Sequence, residues 1–232
     1  MTIAYEPSSF YERALVAVQS WPWGIGLSAR RKLRRAWAPR TLDAFEADVD
    51  RLRPGDIAID FGANVGRFTR ILAASGAEVH AYEPDPATFR RLQAAVADLP
   101  NVHLHQAAVG VTSGTIRLHR APEDRHEDYS EMSSVVFRSS RHYDPESVEV
   151  ELCAFADVVN QFGRPVSLIK MDIEGAEFDI LRAIFAAPDT FDFDQLYVET
   201  HETYAPHELP EVDRMRQQAR GMNRPRINLF WP

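Results

Sequence analysis

Hydrophobic positions along this chain follow two periods that take turns. Leu42, Phe45, Val49 and Leu52 recur at helical spacing, and Arg53-Pro54-Gly55-Asp56 is a turn that launches a strand. In that strand Ile57 and Ile59 alternate with small or polar residues up to Asp60. Phe68, Ile71 and Leu72 then make one helix face from Arg67 onward, and Ala77 to Tyr82 reads as a second strand ending at Glu83. Asp85-Pro86 predicts a helix start, with Asp as cap and Pro at the first position; Phe89, Leu92 and Val96 follow on one face. Asn101 to Ala107 reads as strand three. Phe155, Val158, Val159 and Phe162 mark another helix, Val166 to Asp172 strand four, and Ala176 to Phe185 a helix that buries Leu181, Ile184 and Phe185. Leu196 to Glu199 is strand five, Leu209 to Arg220 a polar helix and Ile227 to Trp231 a last strand.

Strands alternating with helices predict an α/β fold, a Rossmann-like, doubly wound, mostly parallel sheet with flanking helices in three layers. Residues 110 to 150 break the alternation. Thr115 to His119 and Ser147 to Leu152 read as two strands of a β-hairpin-like excursion between strands three and four. The polar stretch between them, Ala121 to Pro145, has the length of a lid or binding loop. Residues 1–40 read as a helical and basic appendage, and 41–232 as the main domain. In the appendage Tyr11 to Gln19 predicts a short helix, and Trp21-Pro22-Trp23-Gly24 an aromatic turn. Arg30, Arg31, Lys32, Arg34 and Arg35 form a basic cluster flanked by Leu27, Leu33 and Trp37. The plain expectation for it is a solvated helix face; a contact for an anionic substrate, a lipid surface or a partner subunit is the other.

Composition narrows this picture. With 232 residues and 45% hydrophobic content, the chain can bury one sizeable core. A net charge of −8 argues against nucleic acid and anionic membranes as partners. The single cysteine, Cys153, follows Leu152 in a strand and reads as a buried, inert thiol in a reducing compartment. No basic-then-apolar leader and no run of ~20 apolar residues is visible, so a soluble cytoplasmic protein is expected.

Two constellations carry chemistry. Gly62, Ala63, Asn64 and Gly66 make a small-residue turn between strand one and a helix start, where a ligand can approach the backbone and meet free N–H groups. Glu83, at the end of strand two, stands where a ribose hydroxyl pair is held. The run from Gly62 is G-A-N-V-G-R, with Asn64 and Arg67 where G-x-G-x-x-G needs glycines. A nucleoside without a diphosphate is therefore favoured, against an ordinary βα turn of some other α/β protein. The second constellation lies in strand four, which should be apolar inside such a sheet yet carries Lys170 and Asp172 on one face. An internal Lys–Asp ion pair is the structural alternative for Lys170. Asp60, Glu83, Asp172 and Glu199 all fall at strand ends on the rim where open α/β sheets bind ligands.

With these residues the chain resembles S-adenosylmethionine-dependent methyltransferases of the class I fold, and specifically the FkbM family. The resemblance rests on Asp60-Phe-Gly62-Ala63-Asn64-Val-Gly66, on Tyr82-Glu83-Pro84, and on Lys170-Met-Asp172-Ile-Glu174-Gly175-Ala-Glu177. Gly114-Thr-Ile-Arg-Leu, Ser133-Ser134 and Ala156-Asp157 support it, over roughly residues 50–205. It implies a methyl transfer to oxygen of a sugar or of a glycosylated or polyketide-like small molecule. It also implies that Gly62, Asn64 and Gly66 pass the methionine part of the cofactor and that Glu83 binds the ribose. Gln106 and Ala107 would lie by the adenine, and Asp172 would face cofactor or acceptor. Asp60, Ala63 and Pro84 belong to the same cofactor-binding motifs.

An alcohol acceptor must lose its proton. His201, in Glu199-Thr-His201-Glu202 after strand five, is the expected base, with Asp172, Glu174 and Lys170 as the other catalytic candidates. No metal is predicted, although Asp172, Glu199 and His201 would suit Mg²⁺ or Mn²⁺. His103 and His105 read as strand residues; His119, His126, His142, Tyr129, Met132 and Tyr143 flank or lie in the excursion. The expected partner is a small-molecule or glycan acceptor, with a homo-oligomer left open. The competing functions are a nicotinamide-dependent oxidoreductase, a non-catalytic nucleoside-binding module, and nucleic-acid methylation through Arg30 to Arg35.

Overall fold

A computed structural model describes residues 6–21, 24–119 and 147–232. Pro22, Trp23, Ser133, Ser134, Tyr129, Met132, Tyr143, His126, His142 and the whole Ala121–Pro145 stretch lie outside these described residues.

Two helices open the chain, α1 (Phe10–Val18) and α2 (Gly24–Val49). Next come β1 (Ile57–Phe61), α3 (Arg67–Ala74), β2 (Glu78–Tyr82), α4 (Pro86–Ala95) and β3 (Val102–His105). A smaller sheet is then built from β4 (Ala107–Gly110), β5 (Gly114–His119) and β6 (Ser147–Ala154). The main sheet resumes after α5 (Phe155–Asn160) with β7 (Leu168–Met171), α6 (Glu177–Ala186), β8 (Gln195–Val198), α7 (Leu209–Gly221) and β9 (Arg226–Asn228). Its order is β3-β2-β1-β7-β8-β9, and every neighbouring pair is parallel. The order reverses between β1 and β7, which is the crevice where such sheets bind ligands.

The doubly wound prediction holds, and Asp85 caps α4 as read, accepting from the N–H groups of Ala87 and Thr88. Strand three is the difference. The sequence suggests one strand from Asn101 to Ala107, but the chain leaves the main sheet at Gln106. Ala107 to Gly110 then pair in parallel with β6, and β6 pairs antiparallel with β5. The excursion is thus a hairpin-like pair plus one added strand. Ala107, Ala108 and Val109 are all buried there, which a continued edge strand would not have offered them.

The two faces of the sheet have separate cores. Ile57, Ile59 and Phe61 of β1 point into a core shared with α5, α6 and α7. Ala58, Val79, Leu168 and Tyr197 point the other way, onto Leu72 of α3 and Phe45, Val49 and Leu52. Trp231 closes this second core, its ring centroid 4.8 Å from Phe45 and 4.7 Å from Phe68. Aromatic pairs of this kind contribute about 0.5–1.5 kcal/mol each beyond the area they bury.

The division expected at residues 40/41 falls inside α2, which runs unbroken through Pro39. Leu33, Trp37, Thr41, Phe45 and Val49 are spaced by four and form one buried stripe. The basic cluster splits accordingly. Arg31, Lys32 and Arg35 are exposed, whereas Arg30 reaches Asp213 of α7 with two hydrogen bonds of 2.8 and 2.6 Å. Cys153 is half-buried rather than buried, and desolvation pushes its thiol pKa up.

Candidate active site

The β1–α3 turn adopts the backbone that its small residues suggest. Gly62, Asn64 and Gly66 have φ values of 74°, 50° and 89°, in the left-handed region. At Gly62 nothing larger fits, because a Cβ would sit 1.7 Å from the carbonyl oxygen of Asp172. Beneath the turn lies Lys170, 3% exposed. Its Nζ donates to the Gly62 carbonyl at 2.7 Å and stands 3.3 Å from Asp60 Oδ1 and 3.9 Å from Asp172 Oδ2. Burial opposes its charge, yet Asp60 and Asp172 outweigh that and raise its pKa. Asp60 accepts from Thr69 Oγ1 at 2.7 Å and is itself fully buried, so Asp60 and Lys170 brace the turn from inside the sheet. The alternative of an internal ion pair is realised, with Asp60 as the nearer partner.

Glu83 stands across the turn. Its two carboxylate oxygens accept from the N–H of Asn64 at 3.0 Å and of Asp85 at 2.9 Å. Burial nevertheless pushes its pKa up to about 7. Ala63 packs on Phe89, Leu92 and Val96, and Pro84 is half-buried beside Glu83. Gln106 is exposed where the chain leaves β3, and Ala107 lies in the core under β4.

The other half of the rim follows β7 and β8. After β7 the chain bends at Glu174 and Gly175, with φ of 53° and 108°, and enters α6 at Glu177. A carboxylate is favoured at such a helix start. Glu177 is fully buried; its Oε2 accepts from the Gly175 N–H at 2.7 Å. Its Oε1 accepts from the His201 backbone N–H at 2.9 Å and lies 3.0 Å from His201 Nδ1. That grip turns His201 Nε2 toward Glu174 Oε2 at 3.4 Å, Asp172 Oδ1 at 3.7 Å and Glu199 Oε1 at 3.9 Å. Burial opposes charge on His201, but Glu177, Glu174 and Glu199 outweigh it and push the pKa up to about 9. Burial and the neighbouring Asp172 charge push the Glu199 pKa up as well.

Sequence reasoning brings Asp172, Glu174, Glu199 and His201 to one rim, and the structure gathers them around one imidazole. It missed two partners. Glu177 stood in the quoted motif, but its role depends on His201 folding back from β8. Arg34 comes from α2, where only basic composition marked it; its guanidinium donates to Glu199 Oε1 at 3.1 Å, to Glu202 Oε2 at 3.0 Å and to the Thr200 carbonyl. A separate cavity of about 320 Å³, lined by Asp48, Ser167, Gln195 and Arg226 among others, opens at the start of β7, β8 and β9. That is the opposite end from the rim, so it is no part of this site. Among the described residues, no helix is long and apolar enough to cross a membrane.

Comparison with known proteins places the chain among methyltransferases. The chain is 28% identical over 176 residues to "31-O-demethyl-FK506 methyltransferase FkbM" of Streptomyces tacrolimicus, covering 65% of this chain and 67% of that protein. It is 26% identical over 153 residues to "Methyltransferase 1" of Beauveria bassiana, covering 59% and 61%. A further 26% identity over 166 residues relates it to "Methyltransferase sdnD" of Sordaria araneosa, covering 59% and 63%. The alignments therefore span less than two thirds of the two fungal proteins. The model of the methyltransferase FkbM domain matches residues 60–223, from the Asp60 that braces the turn to beyond α7, and on that match the chain belongs to the FkbM methyltransferase family.

Proposed function

We propose that this protein transfers a methyl group from S-adenosylmethionine to a hydroxyl oxygen of a small molecule, a sugar or a glycosylated or polyketide-like compound. The observation that carries the proposal is the pairing of Glu83 with the left-handed turn at Asn64. Each Glu83 oxygen already accepts one backbone N–H, which fixes the carboxylate; each keeps a lone pair for a ribose hydroxyl. Asn64 and Arg67, standing where a dinucleotide fingerprint has glycines, speak against a nicotinamide cofactor. The Streptomyces relative is named for an oxygen methylation, which supports a hydroxyl acceptor here.

The cofactor, when bound, supplies a methyl carbon that leaves sulfur for oxygen, the carbon–sulfur electron pair staying on sulfur. The chain's own residues do the rest. Gly62, Asn64, Gly66 and Glu83 position, and positioning of this kind can supply about 7–11 kcal/mol of a barrier. The hydroxyl proton leaves to the carboxylates grouped at the ends of β7 and β8. His201, with its pKa near 9, is charged at neutral pH and steadies that group rather than taking the first proton.

Titration calorimetry with S-adenosylmethionine and with nicotinamide cofactors is the test, followed by transfer of a labelled methyl group to small-molecule extracts. Binding of a nicotinamide with no heat from S-adenosylmethionine would overturn the proposal. Cofactor binding without any labelled product would favour a binding module instead.

A further inference from the structure

We propose that the acceptor end of this rim is a divalent-cation site, with Asp172, Glu199 and His201 as the ligands. The idea rests on the methyl-transfer reading for its purpose, though not for its geometry. Oδ or Oε of the two carboxylates and one ring nitrogen of His201 lie within 4.8 Å of one another. Around an octahedral ion with bonds of about 2.0–2.1 Å, adjacent ligand atoms are about 3 Å apart and opposite ones about 4 Å. The observed 3.7 Å from His201 Nε2 to Asp172 and 3.9 Å to Glu199 lie between these two separations, so one carboxylate could sit opposite the imidazole as it stands and the other must close by just under about 1 Å to sit beside it.

Three further observations point the same way. His201 is oriented from behind, Nδ1 against the buried Glu177 carboxylate at 3.0 Å, which is the carboxylate–histidine arrangement that fixes the tautomer of a metal ligand. Asp172 Oδ1 is buried and accepts no hydrogen bond among the described residues. The charge is also uneven. Asp172, Glu174, Glu177 and Glu199 all face one imidazole. Among the described residues Lys170 pairs with Asp172 and Arg34 with Glu199, and each cation is shared with another carboxylate, Asp60 and Glu202. A dication at this point offsets the excess and displaces the proton from His201 Nε2. Two carboxylates and an imidazole suit Mg²⁺ or Mn²⁺. An acceptor hydroxyl bound to the ion would be acidified there, leaving Glu174 to take its proton.

Mn²⁺ titration of the full chain, read from loss of the free Mn²⁺ electron-paramagnetic signal, tests this directly. One ion per chain is expected at this rim, and Glu199→Gln and Glu177→Gln should each weaken it about 10–100-fold. A second group, Glu78, His80 and His103, also brings three ligand atoms within 4.8 Å, so the titration is repeated with His103→Ala to remove it. The ion retained in that variant supports the proposal. If it is lost there, or if the wild-type chain takes up no Mn²⁺, the proposal is wrong; the wild-type measurement stands even if a variant fails to fold. S-adenosylmethionine binding is measured alongside in EDTA. Cofactor bound and Mn²⁺ refused sinks the cation and leaves methyl transfer standing, whereas Mn²⁺ bound and cofactor refused does the reverse.

Discussion

The two halves of the rim treat their acids differently. Around β1 and β2 the carboxylates have backbone or side-chain partners at hydrogen-bond or close ion-pair distance: Asp60 meets Thr69 and Lys170, and Glu83 meets two N–H groups. Around β7 and β8 the carboxylates of Asp172, Glu174 and Glu199 share one imidazole at 3.4–3.9 Å, and Glu199 also accepts from Arg34 at 3.1 Å. The first half is the more finished of the two, although Asp60 Oδ1, like Asp172 Oδ1, accepts no hydrogen bond among the described residues. The second gathers several carboxylates about a single imidazole, a crowding that the proposed cation would relieve. One sheet edge thus holds its acids in two ways, one by one around β1 and β2 and as a shared cluster around β7 and β8.

The contrast can be broken most sharply at Lys170. Lys170→Met removes the cation from beneath the finished half and strands Asp60, so a stability loss of about 3–5 kcal/mol is expected in urea unfolding. A variant as stable as wild type would show that the turn is not braced as described.

Alkaline titration separates the halves by window. His201, raised from 6.5 to about 9, holds a proton in the folded state that the unfolded chain releases. Its stabilisation is full below pH 6.5 and lost as pH rises through about 9, a change on the order of 3 kcal/mol. Glu83, raised from 4.5 to about 7, gives the same sign in a lower window. Stability curves of His201→Asn should flatten between pH 6.5 and 9, and those of Glu83→Gln between pH 4.5 and 7. Unchanged slopes in both variants would erase the distinction.

Function sharpens it further. Glu83→Gln should raise the Kd for S-adenosylmethionine about 10-fold, or about 1.4 kcal/mol, in calorimetry while the fold persists. His201→Ala should instead depress turnover far more than cofactor affinity, and full turnover would remove His201 from the chemistry. The smallest effect is expected at Arg34. Arg34→Ala frees Glu199 and Glu202 on one side, at a cost in thermal unfolding below the about 3–5 kcal/mol of a fully stranded buried charge, because Arg216 still holds Glu202 at 2.9 Å.

What could be read from the sequence was local. The glycine turn, Glu83 and the β7 motif announce themselves because a strand end, a left-handed bend and a buried charge each leave a mark within a few residues. Strand three was misjudged because Gln106 switches sheets without a Gly or Pro to signal it. The division at 40/41 rested on the basic, motif-free composition of residues 1–40, while the stripe from Leu33 to Val49 that carries α2 across it depends on cores formed far along the chain. Arg34–Glu199 and Glu177–His201 join residues 165 and 24 positions apart, and no spacing rule links them.

The α2 helix has a practical corollary. The family match begins at Asp60, yet Arg34 reaches Glu199 and Glu202, beside the proposed acceptor end, from a segment that precedes it. A chimera exchanging residues 1–59 between relatives is expected to leave the Gly62–Gly66 turn in place while replacing the Arg34 that borders the proposed acceptor end, a route to new acceptor preference.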